Sequence, residues 1–307
     1  MKFPLTKYHH DSEIVDYGFV EITGCSFAVR GPTEPRQGRL NVACLGSAAT
    51  FGRYVRSPFP ALLAEDFGAN VMNLGFGGAR FETYLKEPAT LALCRQCDLV
   101  ILELMSARSY TSDIFRSENH LTGKGSVGPK YAKLIAEAEP DSRLLGGKVF
   151  VDQAHEWAVK HAAWDDLVAV REQLLRAYRD DAIRLIEAIG RPVLLLWLSQ
   201  RSMDVPSRPG SRVSWDCGFP HFVDRQTVDA IREHAAGLVE IVSKRGLPST
   251  LVSSITGQPL SVTKGRQAWL NSYYPSAEMH SDAARAIAAF LREFRAETPV
   301  QAGATGC

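Results

Sequence analysis

A chain of 307 residues, 45% hydrophobic and 22% charged, is long enough to bury the core of one large α/β domain or of two smaller ones, and too apolar to stay disordered. With 35 Lys and Arg against 34 Asp and Glu it carries no basic field that would draw nucleic acid or an anionic membrane surface, so the expected partner is a small molecule or a neutral polymer. The first residues lack an apolar secretory core and the longest apolar run, 193–198, is too short to span a bilayer, so the expected location is cytoplasmic.

Residues 1–38 read as an appended N-terminal segment, followed by a domain over 39–300 and a small polar tail at 301–307. LNVACLG (40–46) is a short strand of the buried type, running into a small-residue turn that carries Ser47. A helix over 57–68 is stopped by Gly68, and NVMNLGF (70–76) is the next strand. A helix through 80–97 is interrupted near Pro88, and DLVILEL (98–104) has the continuous apolar character of a strand covered on both faces.

From 105 to about 160 the periodicity weakens, which predicts an insertion, a lid, over the carboxyl edge of the sheet. Residues 164–190 form the clearest amphipathic helix, with apolar positions at Leu167, Val170, Leu174, Tyr178, Ala182, Leu185 and Ile189 and a closing Gly190. RPVLLLWLS (191–199) is a buried strand, 207–222 a loop and 223–246 a helix; STLVSS (249–254) is the fifth strand, and a last helix starts near Ser276. Strands alternating with helices predict a five-stranded, doubly wound parallel sheet whose site lies in the turns after residues 46, 74, 104 and 199. Self-association into a homo-oligomer is compatible with all of this.

Six cysteines spread over a long chain, with Cys44 inside a strand, resemble free thiols more than a disulfide framework. Cys94 and Cys97 form one CxxC at the end of a predicted helix, where the dipole would not lower a thiol pKa, so two partly buried thiols are expected there. There is no second CxxC and no His-x-x-x-His pair, and the spacing of His155 and His161 does not suit one helical face, so no metal is expected. GFGGAR places Arg80 where a dinucleotide fingerprint needs its third Gly, and GSAATFGR has neither the spacing nor the Lys of a phosphate loop. No cofactor is implied.

What remains is GSAATFG after the first strand, NLGFGGA after the second, MSARS after the third and SAEMH near the C-terminus. Together these resemble the SGNH or GDSL hydrolases, esterases and acyl hydrolases of flavodoxin-like three-layer fold. Gly46, Thr50 and Gly52 fall on that family's first block; Asn73, Gly75 and Gly78 fall on its second, which contains an oxyanion-hole glycine; His280 falls on its late general base. The sequence departs from the family at three places. The catalytic serine position is Ala48 and the acidic position before it is Ser47; Ser106, Ala107 and Arg108 replace Gly-x-Asn; and the acid three residues before the His is Ala277. The blocks are also similar to a divergent SGNH-like family associated with polysaccharide and sulfotransferase genes, which tilts the expected substrate toward saccharides.

The resemblance implies an ester hydrolase or acyltransferase on a saccharide or polysaccharide, with Ser47 as a displaced nucleophile, His280 as base and Gly75 in the oxyanion hole, and with Thr50, Asn73, Gly78 and Ser106 around the substrate. Acyl transfer needs those three elements within reach of one another. Arg108 and Arg201 both follow apolar strands and would suit a carboxylate, sulfate or phosphate. Plainer roles stay open beside these: Ser47 as a helix cap, His280 as a satisfied edge histidine, the glycines as a tight turn, and the arginines as partners of Asp204, Asp113 or Glu103. A non-catalytic protein that binds an anionic glycan or assists polysaccharide biosynthesis is the alternative, and a sulfuryl- or nucleotide-dependent transferase a third.

Overall fold

The computed structural model describes residues 8, 11–204, 215, 217–263 and 267–297. The tail at 301–307 lies outside them. A short antiparallel pair, β1 (Val20–Glu21) and β2 (Ala28–Val29), precedes the main sheet. β3 (Asn41–Leu45) then passes through a turn into one helical turn, α1 (Ala48–Phe51), and into α2 (Phe59–Phe67), which ends on Gly68 at φ +68. β4 (Asn70–Asn73) follows, then α3 (Phe81–Leu85) and α4 (Pro88–Cys94), separated as the proline predicts, and β5 (Leu99–Glu103), every residue of which is buried.

The stretch read as an irregular insertion has structure of its own. β6 (Phe115–Ser117), β7 (Lys124–Val127) and β8 (Val149–Phe150) make a small antiparallel sheet, accompanied by α5 (Pro129–Ala138) and α6 (Val151–His161). The long amphipathic helix is α7 (Trp164–Ile189), capped by Gly190 in the left-handed region; all seven positions of its predicted stripe are buried. β9 (Val193–Ser199) is wholly buried, α8 (Arg225–Arg232) starts on Asp224, and β10 (Gly237–Val242) completes the sheet. Two two-stranded pieces, β11 (Ser249–Thr250) with β14 (Leu270–Asn271) and β12 (Ser261–Thr263) with β13 (Gln267–Ala268), precede the final helix α9 (Ala277–Glu297).

The five parallel strands lie in the order β4-β3-β5-β9-β10. Counted along the chain this is 2-1-3-4-5, the flavodoxin-like order, whose switch point falls between the carboxyl ends of β3 and β5. One face of the sheet packs under α3, α7 and the insertion through Phe81, Tyr84, Tyr178 and Trp197; the other packs under α2 and α9 through Phe59, Leu63, Met279 and Ile287. The predicted three-layer α/β sandwich with a five-stranded parallel sheet is therefore present.

The identity of the fifth strand is a correction. The sequence reading ran one helix through 223–246 and put the strand at 249–254, but the helix ends at Arg232 and Gly237–Val242 pairs with β9, while Ser249–Thr250 pairs only with β14. β10 is the edge strand and half exposed, so it lacks the apolar run that marks a central strand. Its period of two is visible only in three dimensions: Leu238 packs toward one core, Val239 and Ile241 toward the other.

Residues 8 and 11–38 lie against the domain. Tyr8, Ile14, Val15 and Tyr17 form a cluster with Phe51 and Leu251, and Tyr8 stacks on Phe51 with ring centroids 4.6 Å apart.

Candidate functional site

The turn after β3 is organised around a buried carboxylate. Glu103, the last residue of β5 and 1% exposed, accepts from Ser47 N–H (2.9 Å), Thr50 N–H (2.8 Å), Ser47 Oγ (2.5 Å) and Thr50 Oγ1 (2.5 Å). Burial pushes this carboxyl upward, and the four hydrogen bonds pull it back toward the charged form. Gly46 is the residue that admits it: a Cβ at that position would overlap Thr50 and both the carboxylate and the Cβ of Glu103. Ser47 is at once the N-cap of α1, its Oγ accepting from Ala49 N–H. Thr50 is fully buried, with its hydroxyl on Glu103.

The second turn is joined to the first by Asn73, whose Nδ2 donates to the carbonyl of Thr50 (3.1 Å) and whose Oδ1 accepts from the Gly75 N–H (3.1 Å). The amide expected at the oxyanion hole is thus already hydrogen-bonded, and Gly75 sits where a Cβ would strike the backbone of Phe51. Further along that turn, Gly77 and Gly78 line a cavity.

His280 is fully buried among α2 and α9. Its Nδ1 accepts from the backbone N–H of Phe59 at 3.2 Å, which fixes the neutral Nε2–H tautomer, and among the described residues Nε2 has no hydrogen-bond partner. Burial, reinforced by the Arg30 charge, pushes its pKa down to about 3. Ser47 and His280 are therefore not hydrogen-bonded to one another; each is held by a different buried group.

A second serine does meet a histidine. Ser106, at the turn after β5, has its Oγ 3.0 Å from Nδ1 of His221, in the loop after β9. The N–H of Arg108 donates to the same Oγ at 3.4 Å, and in the Nε2–H tautomer of His221 the hydroxyl proton is directed to the imidazole. Burial first, then the charges of Arg108, Arg201 and His155, pushes His221 down to about 2, so at neutral pH the ring is uncharged and can accept. Its ring lies flat against Tyr273 and its carbonyl accepts from Ala107 N–H (3.2 Å). The residue just after it, Phe222, has φ +70, and Cys217 has φ +58; non-glycine residues in this region carry strain of the kind found near functional sites.

Arg201 holds that loop. Its guanidinium donates to the carbonyls of Ser202, Gly218, Pro220 and Val223 and lies over the Trp197 ring at 4.9 Å. Arg108 differs: its Nη1 donates to Asp152 at the start of α6, 2.6 Å away, with the two side chains 30% and 55% exposed. The other two candidate acids near Arg201 and Arg108 have their own partners, Asp204 with Arg225 and Asp113 with Gln173.

Ser47, Ala48, Gly77, Gly78, Ser106 and Arg108 come together on one cavity of about 360 Å³, at the carboxyl ends of β3 and β5 where the strand order places it. The insertion closes one side through Phe150 and Asp152; Tyr8, Phe219, Tyr273 and Tyr274 supply aromatic walls. Gly75, Asn73, Thr50, Arg201 and His280 stand outside this lining. His221 was not among the sequence candidates; its one local signal is an aromatic loop, CGFPHF, placed after an apolar strand. Among the described residues no group of His, Cys, Asp and Glu is arranged to hold a metal ion, and no helix is long and apolar enough to cross a membrane. Cys94 and Cys97 are buried free thiols, and burial pushes Cys97 up to about 12 and Cys94 higher, which makes both poor nucleophiles.

Strand order and cavity define a flavodoxin-like three-layer α/β protein. The chain belongs to the family described as Domain of unknown function (DUF6473), which matches residues 5–118 and 158–295 and so leaves most of the insertion outside the match. No curated protein matches it. Among solved structures it is similar to phospholipase A1 from Streptomyces albidoflavus (12% identity, TM-score 0.42, covering 83% of this chain and 99% of that one). It is also similar to a carbohydrate esterase family 2 enzyme from Corynascus thermopiles (12%, 0.39, 87% and 69%). A catalytic mutant of an acetylxylan esterase from Geobacillus stearothermophilus is a third (14%, 0.36, 83% and 94%).

Proposed function

We propose that the cavity is the site of ester hydrolysis or acyl transfer on a saccharide, with Ser106 as nucleophile and His221 as its base. The observation that carries this reading is the 3.0 Å contact between Ser106 Oγ and His221 Nδ1 at a cavity wall, since a nucleophilic hydroxyl needs an uncharged acceptor within hydrogen-bond reach. As Oγ bonds to the acyl carbon, its proton passes to Nδ1; the imidazolium then returns that proton to the departing sugar oxygen, and water or a second hydroxyl takes the acyl group from Ser106 by the same route. We assign the oxyanion donors to the Gly77–Gly78 turn, because these glycines line the same cavity as Ser106. Phe219 and Tyr273 suit the apolar faces of sugar rings.

The test is turnover of short-chain p-nitrophenyl esters and of acetylated sugars by the wild type and by Ser106→Ala, His221→Ala, Ser47→Ala and His280→Ala. Ser106→Ala and His221→Ala are expected to lower kcat by about 10²–10⁴-fold. Loss in Ser47→Ala with Ser106→Ala still active would move the nucleophile to Ser47, with Glu103 as proton acceptor, and overturn the assignment. A folded wild type that binds sugars without turnover would favour the glycan-binding alternative, which the aromatic walls and Arg108 also suit.

A further inference from the structure

We propose that Arg108 is an anion subsite that selects an acidic saccharide, one bearing a carboxylate or sulfate, and that Asp152 is the internal group such a ligand displaces. This rests on the reading of the cavity as a saccharide site, and it names the substrate class.

The arginines near the cavity differ in how far their donors are used. Arg53 also lines it, but its guanidinium is bound to the buried Asp11 through Nε (2.9 Å) and Nη2 (3.2 Å) and to Tyr274 Oη through Nη1 (2.8 Å), among the rings of Tyr8, Tyr54 and Tyr274. Arg201 is bound to four backbone carbonyls. Neither can turn to a ligand without leaving buried acceptors unpaired. Arg108 gives one of its five donors to one carboxylate oxygen, and that carboxylate is more than half exposed. Partly exposed pairs of this kind are weakly held, and a planar carboxylate or a sulfate offers the bidentate geometry that a single oxygen of Asp152 does not.

The position fits the chemistry. Arg108 follows Ser106 by two residues on the turn after β5, so an anionic group on it lies beside the acyl position. Asp152 belongs to the insertion, within the part that the family match omits. An ion pair between core turn and insertion therefore stands in the cavity lining and yields to a ligand of the same charge as Asp152. The two neighbouring imidazoles, His155 and His221, are pushed down first by burial and then by the Arg108 charge.

The experiment is calorimetric titration at low salt, in the Ser106→Ala background so that binding is read apart from turnover. The probes are digalacturonate against its neutral counterpart digalactose, and glucose 6-sulfate against glucose. An acidic probe is expected to bind about tenfold tighter than its neutral partner, with the preference lost in Arg108→Ala and increased several-fold in Asp152→Asn. Carboxylate and sulfate arms that differ assign the natural group. Equal affinity for acidic and neutral probes, or no response to Asp152→Asn in a protein with unchanged near-ultraviolet circular dichroism, overturns the subsite. Turnover of neutral acetylated sugars with no acidic preference would leave the hydrolase reading standing, whereas acidic preference in a wild type without turnover would leave only the subsite.

Discussion

Glu103 and His221 each sit opposite a serine hydroxyl, and the difference between them separates the two serines. Glu103 takes four donors from one turn and fixes the fold of that turn; His221 meets the Ser106 side chain through Nδ1 and stays uncharged at neutral pH. With His221 held down at about 2, the proton acceptor is already deprotonated across the ordinary pH range. We therefore expect kcat/KM to show no acid limb between pH 8 and 5, measured on the free-enzyme side with subsaturating ester. A limb near pH 6.5 would mean that the base is an exposed, unperturbed histidine. Much of this site was not legible in the chain. Ser47 announced itself because a serine after a strand has two familiar uses, but which use applies depends on Glu103, which reads only as one polar residue in an apolar strand. His221 had no spacing to betray it, since its partner lies 115 residues away and the contact is made by topology alone.

Elements with a strong period were legible, and those that depend on a neighbour were not. α7 and the central strands β3, β5 and β9 follow from apolar runs and stripes in the sequence, whereas β10 needed β9 beside it and the insertion needed its own three-stranded sheet. The loop from 217 to 223 is of the second kind. It has no regular structure, and what holds it is Arg201 with its carbonyls, together with Ser199 Oγ donating to Phe219 O at 2.8 Å. On the proposed reading this makes Arg201, expected from the sequence to bind ligand, a positioning residue for His221. Arg201→Lys keeps the charge but cannot reach several carbonyls from one ammonium. We expect it to lower kcat by about tenfold or more while KM changes little, because misplacement acts on the transition state. An unchanged kcat, or a change confined to KM, would return Arg201 to a role in binding.

At the scale of the molecule the two faces of the sheet divide the labour. The face under α3, α7 and the insertion, together with the carboxyl edge, carries the cavity; the face under α2 and α9 carries His280, which by sequence position was the expected base. There the buried imidazole accepts the Phe59 N–H at the start of α2, one of the amides that a helix leaves without an intrahelical partner. Such a group makes stability depend on pH in one direction. Its folded pKa, about 3, lies below the ordinary 6.5, so between these values the unfolded chain binds the proton that the folded chain refuses. Stability is then complete above pH 6.5 and is lost as pH falls toward 3, at about 1.4 kcal/mol for each unit by which the two pKa values differ. His280→Leu removes both effects. At pH 7 it should cost about 1–3 kcal/mol, since the Phe59 amide loses its acceptor in a buried place. Toward pH 4 the variant no longer suffers the proton uptake, so its urea midpoint should approach that of the wild type or pass it. Parallel loss of stability in both proteins from pH 7 to 4 would mean that His280 is not held neutral in the fold, and the packing of α2 against α9 would need another source for its acid sensitivity.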